Sequence, residues 1–302
     1  MNSWLLLSLL APLLWGFTNA MDTAVRRHFI KSDYAATWFL AMTRLPVIIA
    51  LLMFIDWRAP SSTIMWMLIA GALWITPFIF YYRAMEFEEP SRIVLIFQMS
   101  HLFVLLFAFL LIGENLSLEQ LWGFLLLLSG GIFAGIKRLE GLWRLSRAFW
   151  IILIGTTIWA LADVLFKKME PGFPNFMAAL LWYLVGSFIP CILVLVFPKW
   201  RRLLKTSFHK LPGRTWFLIS LNQVFGLGGT IIFAYALTLG KASLTSVMIG
   251  VQPLLALLWG FLLSRWIPEV AREDVHRSTL LMKGASLVLI LGGLFILQIS
   301  HV

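Results

Sequence analysis

Residues 148–167 read AFWIILIGTTIWALADVLFK. Before the closing Lys167, the only charge in the stretch is Asp163. Coiled as an α-helix, a run of this length rises about 30 Å, the thickness of a bilayer's hydrocarbon core. It is apolar on every side and so has no face to offer water. In lipid, a helix satisfies its backbone hydrogen bonds internally. Nine comparable runs accompany it, near 3–22, 35–55, 63–83, 91–112, 118–136, 175–197, 214–238, 243–264 and 280–299. Turn residues and charges separate them, as in Asp56-Trp57-Arg58-Ala59-Pro60 and Glu88-Glu89-Pro90-Ser91.

The whole chain agrees with that stretch. Of its 302 residues 61% are hydrophobic and 13% charged, more apolar surface than a soluble fold of this size can bury. The expected fold is an all-α polytopic membrane protein with ten transmembrane helices. Trp4 to Ala20 has neither a basic leader nor a clear cleavage site and reads as a retained first helix. The single cysteine, Cys191, excludes an intrachain disulfide and a cysteine-based metal site. No cofactor is expected.

The two halves align with each other. A spacing of 144 sets Leu14-Trp15-Gly16 against Ile158-Trp159-Ala160, Thr43 and Pro46 against Ser187 and Pro190, and Asn19 against Asp163. Farther along, Ala84-Met85 and Ser91 fall opposite Ala236-Leu237 and Ser243, and Gly130-Gly131 resembles Gly292-Gly293. The expected organisation is one five-helix repeat at 1–136, a basic linker at 137–147 and a second repeat at 148–302. Five crossings return the second copy upside down, giving an inverted repeat. In transporters such repeats place the substrate near the bilayer midplane.

The formal charge of +10 sits in short breaks between apolar runs, which fits lipid headgroups better than nucleic acid. The connections after helices one, three, five, seven and nine carry nineteen Lys or Arg; the alternate ones carry four. By the positive-inside rule the first set faces the cytoplasm and both termini face outward.

Several of these residues together resemble the EamA-type branch of the drug/metabolite transporter superfamily. They are Trp15-Gly16, Arg44, Gly113-Glu114, Pro253 and the glycine pairs of helices five and ten. The resemblance covers nearly the whole chain. It implies a carrier of small metabolites, often amino acids or related compounds and commonly an exporter, in a bacterial cytoplasmic membrane. It also implies cytoplasmic termini, against which the loop charges are followed here. His101 stands where the family often has proline, opposite Pro253. The second half has no clean counterpart of Gly113-Glu114; Arg265-Trp266-Ile267-Pro268-Glu269 opens a longer loop instead.

Polar residues inside apolar spans are costly and mark candidate sites. Arg44 offers a guanidinium to a substrate carboxylate, or a lock between helices. Asp163 offers a proton acceptor, a partner for a substrate amine or for Arg44, or a surface pair with Lys167 at i,i+4. His101 and Gln98 share one helix face, and a histidine there can couple transport to protons or simply pack. Trp15 and Trp159, at equivalent positions, and Trp74 offer aromatic faces; Asn19, Asn222, Gln223 and Gln252 offer amides. Tyr81 and Tyr82 read as interface anchors. Glu114 reads as a cap or loop clasp, Gly131 and Gly135 as a close-packing GxxxG, and Gly226, Gly228 and Gly229 as a packing or loosening element in helix eight. The acidic residues Glu86, Glu88 and Glu89 read as a solvated loop.

The expected function is a secondary transporter of a small-molecule substrate within the lipid bilayer, with protons as a candidate coupling ion. No ATP-binding motif is present. A membrane enzyme is the weaker alternative, on the His28-to-Asp33 spacing alone; a receptor would need an output domain that these short loops lack.

Overall fold

The computed structural model describes residues 3–25, 30, 32–87, 93, 96–135, 147–208, 211–267 and 277–300. His28, Glu88, Glu89, Pro268, Glu269 and most of the basic linker, 137–146, lie outside the described residues. All regular structure among the described residues is helical. Among the described residues seven segments are long and apolar enough to cross a membrane: Ser3–Asp22, Asp33–Phe54, Ser61–Ala84, Arg147–Gly172, Phe176–Val196, Gly213–Leu239 and Ala242–Leu263. Three shorter apolar helices, Met99–Ile112, Leu118–Ile132 and Gly284–Ile299, join them. Large apolar side chains cover the outside, Phe54 at 82% exposure among them, as a lipid-facing surface requires.

Three of the expected spans are interrupted in their helical hydrogen bonding while the backbone stays right-handed through the joint, each where a proline lacks the N–H of a helical hydrogen bond and its ring crowds the carbonyl four residues back. The second span divides into helices α2 (Asp33–Met42) and α3 (Leu45–Phe54), with Thr43 and Arg44 at the joint and Pro46 just beyond. Here α1 is Ser3–Ala24. The third divides at Thr76 into α4 (Ser61–Ile75) and α5 (Pro77–Ala84). Helices α6 (Met99–Ile112), α7 (Leu118–Gly135), α8 (Arg147–Met169), α9 (Phe176–Leu193), α10 (Pro198–Ser207) and α11 (Gly213–Leu239) follow. The ninth span is α12 (Ala242–Val247), a 3-10 turn at Met248–Val251, and α13 (Gln252–Leu263), in which Pro253 is among the first residues. The last helix is α14 (Arg277–Ile299). Helix eight of the sequence reading, α11, runs unbroken through Gly226, Gly228 and Gly229. Its glycines leave room for neighbours: a Cβ on Gly229 would lie 2.6 Å from the Trp15 indole nitrogen.

The helices pack as two interleaved halves. α1 lies on α11 and α13 of the second half, while α8 lies on α4, α5 and α6 of the first. α7 and α14 form their own close pair, where the Ser286 hydroxyl donates to the Gly130 carbonyl at 2.7 Å. α4 and α9 also approach backbone to backbone: a Cβ on Gly71 would stand 2.0 Å from the Tyr183 carbonyl oxygen, and one on Gly186 2.2 Å from that of Leu68. The corresponding pair across the repeat, α2–α3 with α11, is less closely packed and meets through side chains such as Phe39 and Trp216, whose ring centroids are 5.6 Å apart.

One end of the bundle, the Lys241 end, is laced shut. Gly113 ends α6 in the left-handed conformation, φ 66°, and the Glu114 N–H closes back on the Ala108 carbonyl. That turn delivers the Glu114 carboxylate to the start of α12, where it accepts from the backbone N–H of Ala242 (2.7 Å) and Ser243 (3.0 Å) and from the Ser243 hydroxyl. Lys167 reaches Glu114 at 4.0 Å and donates to the Gly240 carbonyl. Lys241 donates to the Asn115 carbonyl and the Gln120 amide oxygen, both at 2.6 Å. Glu114 therefore is a clasp, and it joins the two halves.

Candidate functional site

A cavity of about 150 Å3 lies between the halves. Each wall is a helical stripe. On α1 it is Trp15, Thr18, Asn19 and Asp22, at i, i+3, i+4 and i+7, so that all four share a face. α4 and α5 supply Trp74, Phe78 and Tyr81, on either side of the break at Thr76. Gln98 and His101 come from the start of α6, and Trp159 and Asp163 from successive turns of α8. The broken ninth span adds Ser246, Ile249, Gln252 and Pro253.

The two repeat-related tryptophans make the same bond twice. The Trp15 indole N–H donates to the Gly226 carbonyl of α11 at 3.2 Å. The Trp159 N–H donates to the Trp74 carbonyl of α4 at 2.8 Å. The pairing of Ala84 with Ala236 sets Trp74 opposite Gly226, so donors and acceptors both correspond. Each ring is thereby fixed with its polar handle outside the cavity and its apolar body on the wall.

His101 links the halves on another side, with Nδ1 2.8 Å from the Ser246 hydroxyl; its Nε2 is buried and has no partner among the described residues. Gln98 sits in a slot against Gly131 and Gly250, where a Cβ on Gly131 would fall 2.5 Å from its amide oxygen. Gly131 thus makes room for a cavity residue besides serving helix packing. Asn222 and Gln223 line a smaller adjoining cavity of about 40 Å3 that shares Trp15, Thr18, Asp22, Trp74 and Phe78 with the first.

Arg44 does not line either cavity. From the joint between α2 and α3 its guanidinium lies against the Trp74 ring, 4.4 Å from the centroid, at 1% exposure. None of its nitrogens has a hydrogen-bond partner among the described residues. It backs the wall rather than facing the space. Asp163 is 9% exposed and has no hydrogen-bond or salt-bridge partner among the described residues. The alternative surface pair with Lys167 is not formed; Lys167 is engaged at the Lys241 end. Nor do Tyr81 and Tyr82 anchor an interface: both are buried, and the Tyr81 hydroxyl donates to Asp22 at 3.3 Å.

Asp22 is the main residue that the sequence reading missed. It is buried, lines both cavities, and accepts from Asn222 at 2.9 Å as well as from Tyr81. Its position at the end of an apolar run concealed it. The 15–18–19–22 stripe is the signal that identifies it. Among the described residues no cluster of three His, Cys, Asp or Glu side chains could hold a metal ion.

Lipid-facing helices around a shared internal cavity define an integral, multi-pass membrane protein. The profile of the EamA-like transporter family matches residues 2–136 and again 146–270, so the chain belongs to that family of membrane transporters. A solved structure described as "Crystal structure of protein" is similar over 98% of this chain and 97% of that one, with a TM-score of 0.68 at 17% identity, a likeness of fold. A comparison with curated proteins gives no match.

Proposed function

We propose that this protein is a secondary transporter that exports a small metabolite, such as an amino acid or related compound, by alternating access. Ten crossings, arranged as inverted repeats at 1–136 and 148–302 about the 137–147 linker, form the transport unit. The carrying observation is the cavity itself, built from both halves at the paired Trp15 and Trp159 and closed at the Lys241 end by the Glu114 clasp. The α4–α9 seam is tight while its counterpart is loose, and exchanging the two would open the opposite end. From Asp163 and Ser246 the lining continues to Asp22 and Tyr81, toward the end bearing the basic loops. On the charge rule that end is cytoplasmic, the termini are external, and the site stands loaded from inside a bacterial cytoplasmic membrane.

Asp163, His101 and Gln98 with Trp15, Trp159, Trp74, Asn19 and Gln252 form the primary site, Asn222 and Gln223 its annex, and Arg44 supports Trp74 from behind. The test is uptake into proteoliposomes of a panel of amino acids, amines and metabolites, with and without a pH gradient. Saturable flux is expected. Ligand binding with no flux across any gradient would indicate a receptor instead.

A further inference from the structure

The charges around the cavity are one-sided. Among the described residues its lining includes two aspartates and neither lysine nor arginine. Asp22 already accepts hydrogen bonds from Tyr81 and Asn222. Asp163 is nine-tenths buried, faces the cavity, and has no partner among the described residues. The two cations placed to serve it are committed elsewhere. Lys167, one turn along α8, is held by Glu114 and the Gly240 carbonyl, and Arg44 lies against Trp74 without entering the cavity.

A carboxylate withdrawn from water and left unpaired is costly, and a cation placed beside it recovers that cost. A carboxylate-bearing anion would meet the Asp163 carboxylate, for which no cation stands in the lining among the described residues. The remaining wall suits a cation too. Trp15 and Trp159 have their indole N–H groups tied to backbone carbonyls, so what they give a ligand is aromatic surface, to which cations are drawn. At about 150 Å3 the space holds a ring-sized body.

On the transporter reading given above, we infer that the cavity binds an organic cation, its ammonium group against Asp163 and its apolar or aromatic body between Trp15 and Trp159. A substrate with a net negative charge is disfavoured, and a zwitterion enters with its ammonium end toward Asp163.

The test is isothermal titration of the purified protein with three probes of one shape: 2-phenylethylammonium, neutral 2-phenylethanol and anionic phenylacetate. The cation is expected to bind saturably and at least about tenfold more tightly than either other probe, the contribution of one charge-assisted contact. Asp163→Asn brings the cation down to the affinity of 2-phenylethanol and leaves that alcohol unchanged; Asp163→Glu keeps most of the preference and shows that the fold survives a change at this position. Absence of saturable cation binding, equal binding of all three probes, or a cation affinity untouched by Asp163→Asn overturns the inference. Flux in sealed vesicles separates the two readings. Cation binding that depends on Asp163 but gives no flux sinks the carrier and keeps the site, whereas saturable flux of the alcohol or the acid with no cation preference does the reverse.

Discussion

Replacing Gly71 with alanine tests whether the α4–α9 seam is a closed contact of one conformational state. The added Cβ would stand 2.0 Å from the Tyr183 carbonyl oxygen and 2.8 Å from the Ser187 nitrogen, where real Cβ contacts essentially never fall below 3.0 Å. Both obstacles are backbone, so no side chain can swing aside; the helices must part by about 1 Å. Overpacking of this kind costs roughly 1–3 kcal/mol. Spent against one of two states, that is about a 5- to 150-fold shift in their ratio. The reporter is built in: Cys191, the lone cysteine, is buried on α9 one turn beyond Ser187. Labelling by N-ethylmaleimide in detergent should accelerate by a comparable factor in Gly71→Ala, and thermal melting should move to lower temperature. Gly284→Ala is the control, since a Cβ there meets nothing within 4 Å. Gly186→Ala should act in the same direction, and the double variant should cost less than the two singles together, because one parting of the helices relieves both clashes. If Gly71→Ala labels and melts like Gly284→Ala, the seam is not tight and the asymmetry argument fails.

Glu114→Ala should lower thermal stability by roughly 1.5–3 kcal/mol, as the N–H groups opening α12 lose a charged acceptor, with Glu114→Gln recovering part of it. Unchanged melting in both variants would show that the clasp carries no load. Arg44→Met should melt no lower than the parent, because it removes a buried cation that has no hydrogen-bond partner among the described residues while keeping an apolar body against Trp74; a steep loss would mean that the guanidinium is paired after all. Trp15→Phe and Trp159→Phe should each cost about 0.5–1.5 kcal/mol for the lost N–H bond, the Trp159 change being the larger because its bond is shorter. Calorimetry on the two variants compares the halves directly, and a null effect at either position would show that its ring is not held by that bond.

The apolar runs were readable because hydrophobic length is a local property: a segment such as 151–166 declares its solvent without reference to any neighbour. The repeat was readable because two copies of one design retain equivalent residues, and the Trp15–Trp159 correspondence reappears in space as a duplicated hydrogen bond. Membership of the candidate cavity was partly readable too, since polar groups such as Asp163, His101 and Gln98 have few places to go inside lipid. Direction was harder. Arg44 and Asp163 were both buried charges in the sequence, yet one backs a tryptophan and the other faces open space, a difference set by which neighbouring helix each side chain meets. Asp22 was passed over because position in a run says nothing about which side of a helix faces a cavity.

Composition, run length and internal duplication therefore sufficed for the solvent, the helical class and the two-part plan, all of which follow from properties of single segments. Only the tertiary structure decided which end is clasped, that Lys167 engages Glu114 and not Asp163, and which aspartate faces the cavity without a hydrogen-bond partner among the described residues. Those outcomes depend on contacts between residues far apart in the chain, such as Glu114 with Ser243 and Trp15 with Gly226. No local pattern encodes such a pairing, because each partner's choice is set by the helices that happen to lie beside it.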